Sequence, residues 1–105
     1  MIARIWRGAV RPEHADEYAV YIRDTGFVEY AQTPGNRGAW MLRRDEEDRT
    51  EFITYSLWES REAIHGFAGD DIEKAVYYPE DNRYLLEKEP LVKHYDIVLE
   101  ALPGG

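Results

Sequence analysis

The side chains that could move protons are few, and they lie far apart in the sequence. Three histidines stand at positions 14, 65 and 94, a spacing that matches no metal-binding motif. His65 lies beside the apolar face of a predicted helix, where a neutral imidazole could accept a phenolic proton. The alternative is an exposed histidine at the edge of that face. We predict no metal site.

Two tyrosines and an arginine are the candidates for holding a ligand. Tyr77 and Tyr78 follow a predicted helix end and precede Pro79. One hydroxyl could reach a pocket, or both rings could simply close the core. Arg4 and Trp6 share one face of the first predicted strand, because residues two apart point the same way. Arg4 could therefore bind an anion by paired hydrogen bonds, or pair with an acid at a subunit surface.

Length and composition narrow the class of protein. The chain has 105 residues, no cysteine and a net charge of −8, and aromatic residues make up 13% of it. One domain over residues 1–100 with a tail at 101–105 fits this length. The acidic charge argues against nucleic acid as a partner, and no apolar run is long enough to span a membrane. We expect a cytoplasmic protein without disulfides.

The elements that must position these residues follow from the hydrophobic pattern. Alternating residues predict strands, and apolar residues at i, i+3, i+4 and i+7 predict helices. The predicted strands cover residues 2–10, 38–44, 49–58 and 91–99. The predicted helices cover residues 12–26, 60–69 and 70–76, with one further helical turn at 27–31 and a polar crossing segment at 80–90. This β-α-β-β-α-β order predicts an α+β, ferredoxin-like fold with a four-stranded antiparallel sheet.

The strands carry apolar residues on both faces. Phe52 and Trp58 lie on one face of the third strand, whereas Ile53, Tyr55 and Leu57 lie on the other. The helices of one chain cover only one face of such a sheet. We therefore expect a homodimer in which two copies pack sheet to sheet.

Four stretches resemble one known family. They are IARIW in the first strand, TPGNRG before the second, SLWES at the end of the third, and IHGFAGDDIEKAVYYPED after it. With them the chain resembles the antibiotic biosynthesis monooxygenase (ABM) family of the dimeric α+β barrel superfamily, over about residues 1–99. The resemblance implies a pocket between the helices and the sheet of each subunit.

The resemblance also implies roles for particular residues. In the haem-degrading branch, an Asn, a Trp and a His ligand occupy the positions that fall here on Trp6, Phe67 and Tyr77. None of the three matches, so the chain is more similar to the cofactor-independent monooxygenases, whose substrates are aromatic or polyketide-like. On this interpretation no cofactor is needed: Tyr77 and His65 handle protons, Arg4 holds an anion, and Trp6, Phe67 and Tyr78 complete the site.

Two other functions stay open on the sequence alone. The first is a non-enzymatic binder of haem or of another flat hydrophobic ligand. The second is a dimeric domain of unassigned activity, in which the aromatic residues serve only folding and dimerisation. A pocket too small for a bicyclic ligand would favour the second.

Overall fold

The computed structural model describes residues 1–104 and has one antiparallel sheet with helices against one of its faces. Its strands are β1 Ile2–Val10, β2 Asn36–Asp45, β3 Thr50–Trp58, β4 Leu85–Lys88 and β5 Lys93–Asp96. Its helices are α1 Ala15–Asp24, α2 Gly26–Gln32, α3 Arg61–Ala68 and the single turn α4 Asp81–Tyr84, with a 3-10 turn at Pro12–His14. The predicted α+β class is confirmed.

The sheet is four strands wide, although five strands form it. The order is β2-β3-β1-β4, and β5 pairs with β1 as well. Because β3 lies along the whole of β1 on one side, β4 and β5 share the other side. β4 lies opposite residues 8–10 of β1, and β5 opposite residues 2–5. The predicted four-stranded antiparallel sheet is therefore confirmed, with its fourth position divided in two.

The predicted final strand at 91–99 is too long, and the polar crossing segment at 80–90 was predicted wrongly. That segment contains α4 and β4, and only Lys93–Asp96 of the final strand pairs as β5. Pro90 lies between the two short strands and has no N–H to donate to a ladder. The ladder along β1 is therefore interrupted there and resumes at Lys93.

The predicted helix at 70–76 does not form. Asp71 instead closes a tight turn, in which its carboxylate accepts the N–H of Glu73 and its carbonyl accepts the N–H of Lys74. An Asp side chain that bonds nearby backbone competes with helix formation in this way. The carbonyls of Ile72 and Lys74, which a helix would use internally, accept hydrogen bonds from Arg4.

The helix predicted for residues 12–26 is divided as well. It starts with the 3-10 turn and α1, and then breaks at Thr25, whose backbone is not helical. Gly26, which the sequence placed at the helix end, begins α2. A Cβ on Gly26 would lie 3.4 Å from the Tyr78 ring. The break allows α2 to change direction, and the missing side chain leaves room for Tyr78.

Residues 33–36 form a turn, in which the N–H of Asn36 donates to the carbonyl of Thr33 at 3.2 Å. Gly35 has a φ of 88°, which favours glycine, and a Cβ there would lie 2.5 Å from the Cβ of Ala63. Gly35 therefore allows α3 to approach the loop that leads into β2. Within residues 1–104, no helix is long and apolar enough to cross a membrane.

The core lies between the sheet and the helices and has two clusters. One gathers Phe52, Tyr18, Ile22 and Tyr84, and the other gathers Ile2, Tyr30, Trp58 and Ile64. Phe52 and Trp58 come from alternate positions of β3, as the period of a strand requires. Trp58 is fully buried and donates its indole N–H to the Ser56 hydroxyl at 2.9 Å.

The other face of the sheet is uncovered in the chain and is largely apolar. Trp40 and Leu42 of β2 lie opposite Tyr55 and Ile53 of β3, and both are about half exposed. The Trp40 and Tyr55 rings lie 5.9 Å apart. We call this surface the open face. Its apolar residues come from β1, β2, β3 and β5: Ile5, Trp40, Leu42, Ile53, Tyr55, Leu57 and Tyr95.

The core arrangement predicts a large effect of truncating Phe52. Its ring is 1% exposed and lies 5.4 Å from that of Tyr18, so Phe52→Ala removes contacts from both sides of the core. We expect a loss of about 3–5 kcal/mol in the free energy of unfolding, measured with urea. The control is Val20→Ala on the outer side of α1, with an expected change within about 0.5 kcal/mol. Equal losses in the two variants would contradict this description of the core.

Candidate functional site

A small cavity lies between the sheet and the helices, where the sequence predicted a pocket. Its floor is β1 and β3, and its walls come from α1, α2, α3 and the chain that follows α3. The volume is about 40 Å³. Five residues predicted for the site line it together: Arg4, Trp6, Phe67, Tyr77 and Tyr78.

Arg4 is a buried cation, only 3% exposed. Its Nη1 donates to the carbonyl of Ile72 and lies 3.1 Å from Nε2 of His94, and its Nη2 donates to the carbonyl of Lys74 at 3.1 Å. No Asp or Glu of residues 1–104 forms an ion pair with it. Burial lowers the pKa of Arg4, but a guanidinium keeps its proton in proteins. A buried positive charge with only neutral acceptors favours an anionic ligand.

His94 and Phe67 contact Arg4 from two sides. His94 lies opposite Arg4 in the β1–β5 pair, and its pKa is lowered by burial and then by the charge of Arg4. A neutral His94 can accept a hydrogen bond from Arg4 through Nε2. The guanidinium carbon lies 5.9 Å from the centre of the Phe67 ring, within the range of a cation–π contact. Phe67 in turn stacks on Tyr30 at 4.5 Å.

Trp6 and Tyr77 form an aromatic corner at one end of the cavity. Their rings meet edge to face at 6.4 Å, and both donate to the carbonyl of Glu89, at 3.1 Å from the Trp6 indole and 2.8 Å from the Tyr77 hydroxyl. The Trp6 ring lies across Gly8, where a Cβ would be 2.3 Å from Cη2. Gly8 therefore permits this orientation. Burial raises the pKa of Tyr77, so its hydroxyl stays protonated.

Tyr78 closes the cavity from the side of α2. Its hydroxyl donates to Oε2 of Glu29 at 2.6 Å, and its ring packs against Gly26. Burial and then the neighbouring Glu29 carboxylate raise the pKa of Tyr78 far above its ordinary value. Tyr78 is thus a neutral wall residue whose hydroxyl is already engaged.

Asp81 is the residue that sequence reasoning missed. It lines the cavity, is 3% exposed, and accepts hydrogen bonds from the Tyr78 N–H at 2.6 Å and the Tyr18 hydroxyl at 3.3 Å. Burial raises the pKa of Asp81 above its usual value. A buried carboxyl with a raised pKa, in a cavity, is suited to acid–base chemistry. In the sequence, Asp81 follows Pro79-Glu80 in a polar segment, and no local pattern distinguishes it from an exposed helix-capping acid.

His65 is not brought to the cavity. It lies on the exposed side of α3, and its Nδ1 is 2.7 Å from the carbonyl oxygen of Gly69. The helical period explains the difference, since Ile64 and Phe67 face inward and His65 lies between them. The predicted role of His65 as a proton acceptor therefore has no support from this geometry. In the part of the chain described, no three His, Cys, Asp or Glu side chains gather as metal ligands would.

The sequence was also compared with known proteins. The model of the antibiotic biosynthesis monooxygenase family matches residues 1–75. The chain belongs to this family. A search of curated proteins gave no match.

Two solved structures resemble this chain in fold. One is named "Putative antibiotic biosynthesis monooxygenase from Nitrosomonas europaea"; it has a TM-score of 0.68 and 15% identity, over 94% of this chain and 100% of the other. The second is a protein of unknown function from Nitrosomonas europaea, with a TM-score of 0.65 and 12% identity, over 99% of this chain and 95% of the other. At these identities the likeness establishes the fold alone.

The three positions that the ABM resemblance linked to haem degradation all lie at the cavity. Trp6, Phe67 and Tyr77 line it, and none is the Asn, Trp or His that the haem-degrading branch has there. Tyr77 also has its hydroxyl committed to the carbonyl of Glu89. The residues present therefore do not fit a histidine-ligated haem.

The environment of Asp81 predicts how stability varies with pH. Because the folded state holds the Asp81 proton more tightly than the unfolded chain, its contribution is complete below the unfolded pKa of 3.8 and is lost as the pH rises through the folded pKa. We expect the unfolding free energy of the wild type, minus that of Asp81→Asn, to fall as the pH rises from about 4 towards neutrality. Denaturant titrations at several pH values measure this, with Asp70→Asn at an exposed position as the control. A difference that rises with pH would contradict the assignment.

Proposed function

We propose that this protein is a cofactor-independent monooxygenase that oxidises a small, electron-rich aromatic phenol to a quinone. The supporting observation is that one aromatic-walled cavity contains both Arg4, a buried cation with no carboxylate partner among residues 1–104, and Asp81, a buried carboxyl of raised pKa. Membership of the ABM family supports the class of reaction.

The two charged groups suit the first step, which is ionisation of the substrate. Asp81 accepts the phenolic proton, and a raised pKa makes it a stronger base than an ordinary carboxylate. Arg4 holds the phenolate oxygen through paired N–H donors. Placing the anion among Trp6, Phe67 and Tyr30 keeps water away and leaves the ring electron-rich.

The phenolate itself then supplies the electrons. It reduces dioxygen, and the ring carbon para to the hydroxyl forms a bond to oxygen. Loss of the hydrogen on that carbon, with cleavage of the O–O bond, releases one water and leaves a quinone. For a bicyclic phenol the balance is 1-naphthol plus dioxygen giving 1,4-naphthoquinone plus water.

The size of the cavity sets a condition on this proposal. A cavity of about 40 Å³ has no room for a bicyclic ring, whereas sites for such ligands are roughly 300–1,000 Å³. A cavity this small is the outcome that favours the alternative, a dimeric domain of unassigned activity. The proposal therefore requires the chain that carries Tyr77 and Tyr78 to move aside when substrate binds.

The open face supports a homodimer. Its aromatic and aliphatic side chains form an uncovered apolar surface across neighbouring strands, larger than isolated apolar residues would give. A second copy offers the same surface, so two sheets can pack face to face around a two-fold axis. The cavity lies on the other side of the sheet, so each subunit would keep its own site.

The oxidation proposal is tested with 1-naphthol as the probe. We expect oxygen uptake and formation of 1,4-naphthoquinone in equal amounts, without added metal or flavin. Asp81→Asn should lower turnover by about 100-fold or more, because the base is lost, while Asp24→Asn at an exposed site leaves it unchanged. Lack of turnover in the wild type, or full turnover in Asp81→Asn, would contradict the proposal. A loss in His65→Ala would return that residue to the mechanism.

The dimer proposal is tested by placing a charge on the open face. The wild type should have a mass in solution of twice 12.3 kDa, and Leu42→Arg should shift it towards 12.3 kDa. Leu42 is 51% exposed in the single chain, so the substitution does not disturb the core. Val20→Arg on α1, at 47% exposure, is the matched control and should remain dimeric. A monomeric wild type, measured by light scattering, would be decisive against the dimer.

A further inference from the structure

The cavity is closed by a segment that has neither helix nor strand. We call residues 69–80 the strap; it joins the end of α3 to α4 and contributes Val76, Tyr77 and Tyr78 to the cavity wall. Two backbone hydrogen bonds, from the Ala75 N–H to Pro90 and from the Val92 N–H to Glu73, form a bridge between the strap and the chain near Leu91. The Tyr77 and Tyr78 hydroxyls add hydrogen bonds to Glu89 and Glu29. No helix or sheet ladder has to break for the strap to open, but these individual contacts do.

Arg4 makes a charged contact to the strap. The guanidinium donates to the carbonyls of Ile72 and Lys74, which lie within three residues of each other near the middle of the strap. Arg4 is fixed by β1, which pairs with β3 along its whole length. The strap is thus fastened to the rigid sheet through one buried side chain.

The same N–H groups are the donors that an anion entering the cavity would need. Arg4 lines the cavity while donating to the strap, so ligand and strap compete for it. A guanidinium binds a carboxylate or phenolate more strongly than a neutral carbonyl, because charge attraction adds to the hydrogen bond. A neutral ring of the same shape has no such advantage.

We propose that Arg4 is a ligand-operated latch: a flat aromatic ligand with an anionic oxygen takes the Arg4 donors from the carbonyls of Ile72 and Lys74, and this releases the strap so that the cavity can enlarge. The inference rests on the proposed function for the position of the anion, and it adds a class of ligand and a means of entry.

The ends of the strap suit this movement. Gly69 has a φ of 82°, and a Cβ built there meets nothing within 4 Å, so the chain turns in open space where α3 ends. The other end runs through Pro79 to Asp81, whose side chain holds the N–H of Tyr78. Opening therefore separates Arg4 from the strap without moving β1, and the Tyr77 and Tyr78 side chains travel with the strap.

The first arm of the test uses no ligand and measures amide hydrogen exchange. The Lys74 amide donates a hydrogen bond to Asp71 within the strap, and the Ala75 amide donates one to Pro90 outside it. In Arg4→Met, which keeps a long side chain in the core, we expect these amides to exchange about tenfold faster or more, because two hydrogen bonds to the strap are lost. Amides of the β1–β3 ladder are the internal reference. Arg7→Met, on the opposite face of the same strand, is the matched control and should leave strap exchange unchanged.

The second arm adds ligands that cannot be oxidised by this reaction. 2-Naphthoate carries a carboxylate on a bicyclic ring, and 2-naphthamide is its neutral counterpart. In the wild type we expect 2-naphthoate to bind about tenfold or more tightly than 2-naphthamide, by Trp fluorescence, and to speed exchange at Lys74 and Ala75. In Arg4→Met the two ligands should bind alike, and Arg4→Lys should restore part of the preference for the anion.

The outcomes separate this inference from the oxidation. The latch would be overturned if the strap amides exchange at the same rate in Arg4→Met as in the wild type while the exchange of the β1–β3 ladder amides is unchanged. Binding of 2-naphthoate with no change in strap exchange, or no preference for it over 2-naphthamide, would also overturn the latch. If the latch results hold and 1-naphthol is not oxidised, only the proposed reaction fails; if 1-naphthol is oxidised while Arg4→Met leaves the strap unchanged, only the latch fails.

Discussion

The burial of the Arg4 guanidinium constrains more of this structure than any other single group. A cation removed from water must have acceptors for its N–H groups, and here they come from Ile72, Lys74 and His94, all far from Arg4 in sequence. Two of these acceptors are backbone carbonyls, which are free only because residues 70–76 are not helical. The third requires β5 to pair with β1 in the register that places His94 opposite Arg4.

The aromatic residues divide between the two faces of the sheet. On the helix side, Tyr18, Phe52 and Tyr84 form one cluster, while Tyr30, Trp58 and Phe67 form another next to Arg4. On the open face, the Trp40 and Tyr55 rings contact each other at a tilt of 58° and remain partly exposed. The high aromatic content thus has different uses: both helix-side clusters fill a thin core, Tyr18, Tyr30 and Phe67 among them also line the cavity, and the open-face pair offers an apolar surface.

The sequence predicts well what depends on local periodicity. The alternation along β1 placed Arg4 and Trp6 on one face, and the structure brings both to the cavity with Phe67, Tyr77 and Tyr78. Prediction from the sequence fails where contacts with distant residues determine the local structure. The apolar spacing of Ile72, Ala75 and Val76 predicted a helix, but Arg4, almost 70 positions away, takes the carbonyls of that segment. The sequence did not identify Asp81 as a site residue. Its side chain is buried because α1 packs over it and brings Tyr18 into contact, and the residues next to Asp81 in the sequence do not indicate this.

The positions of the site residues in the sequence explain why membership of the family establishes the fold and not the reaction. The family match covers residues 1–75, which include Arg4, Trp6, Tyr30 and Phe67. The remaining part of the wall, Val76, Tyr77, Tyr78, Asp81 and Val92, lies beyond that range. The matched part supplies β1, β2, β3, Arg4 and the strap as far as residue 75, whereas Tyr77, Tyr78 and Asp81 lie outside it. A shared scaffold can present different groups over one cavity, so a match over residues 1–75 does not determine what residues 76–92 contribute to the site.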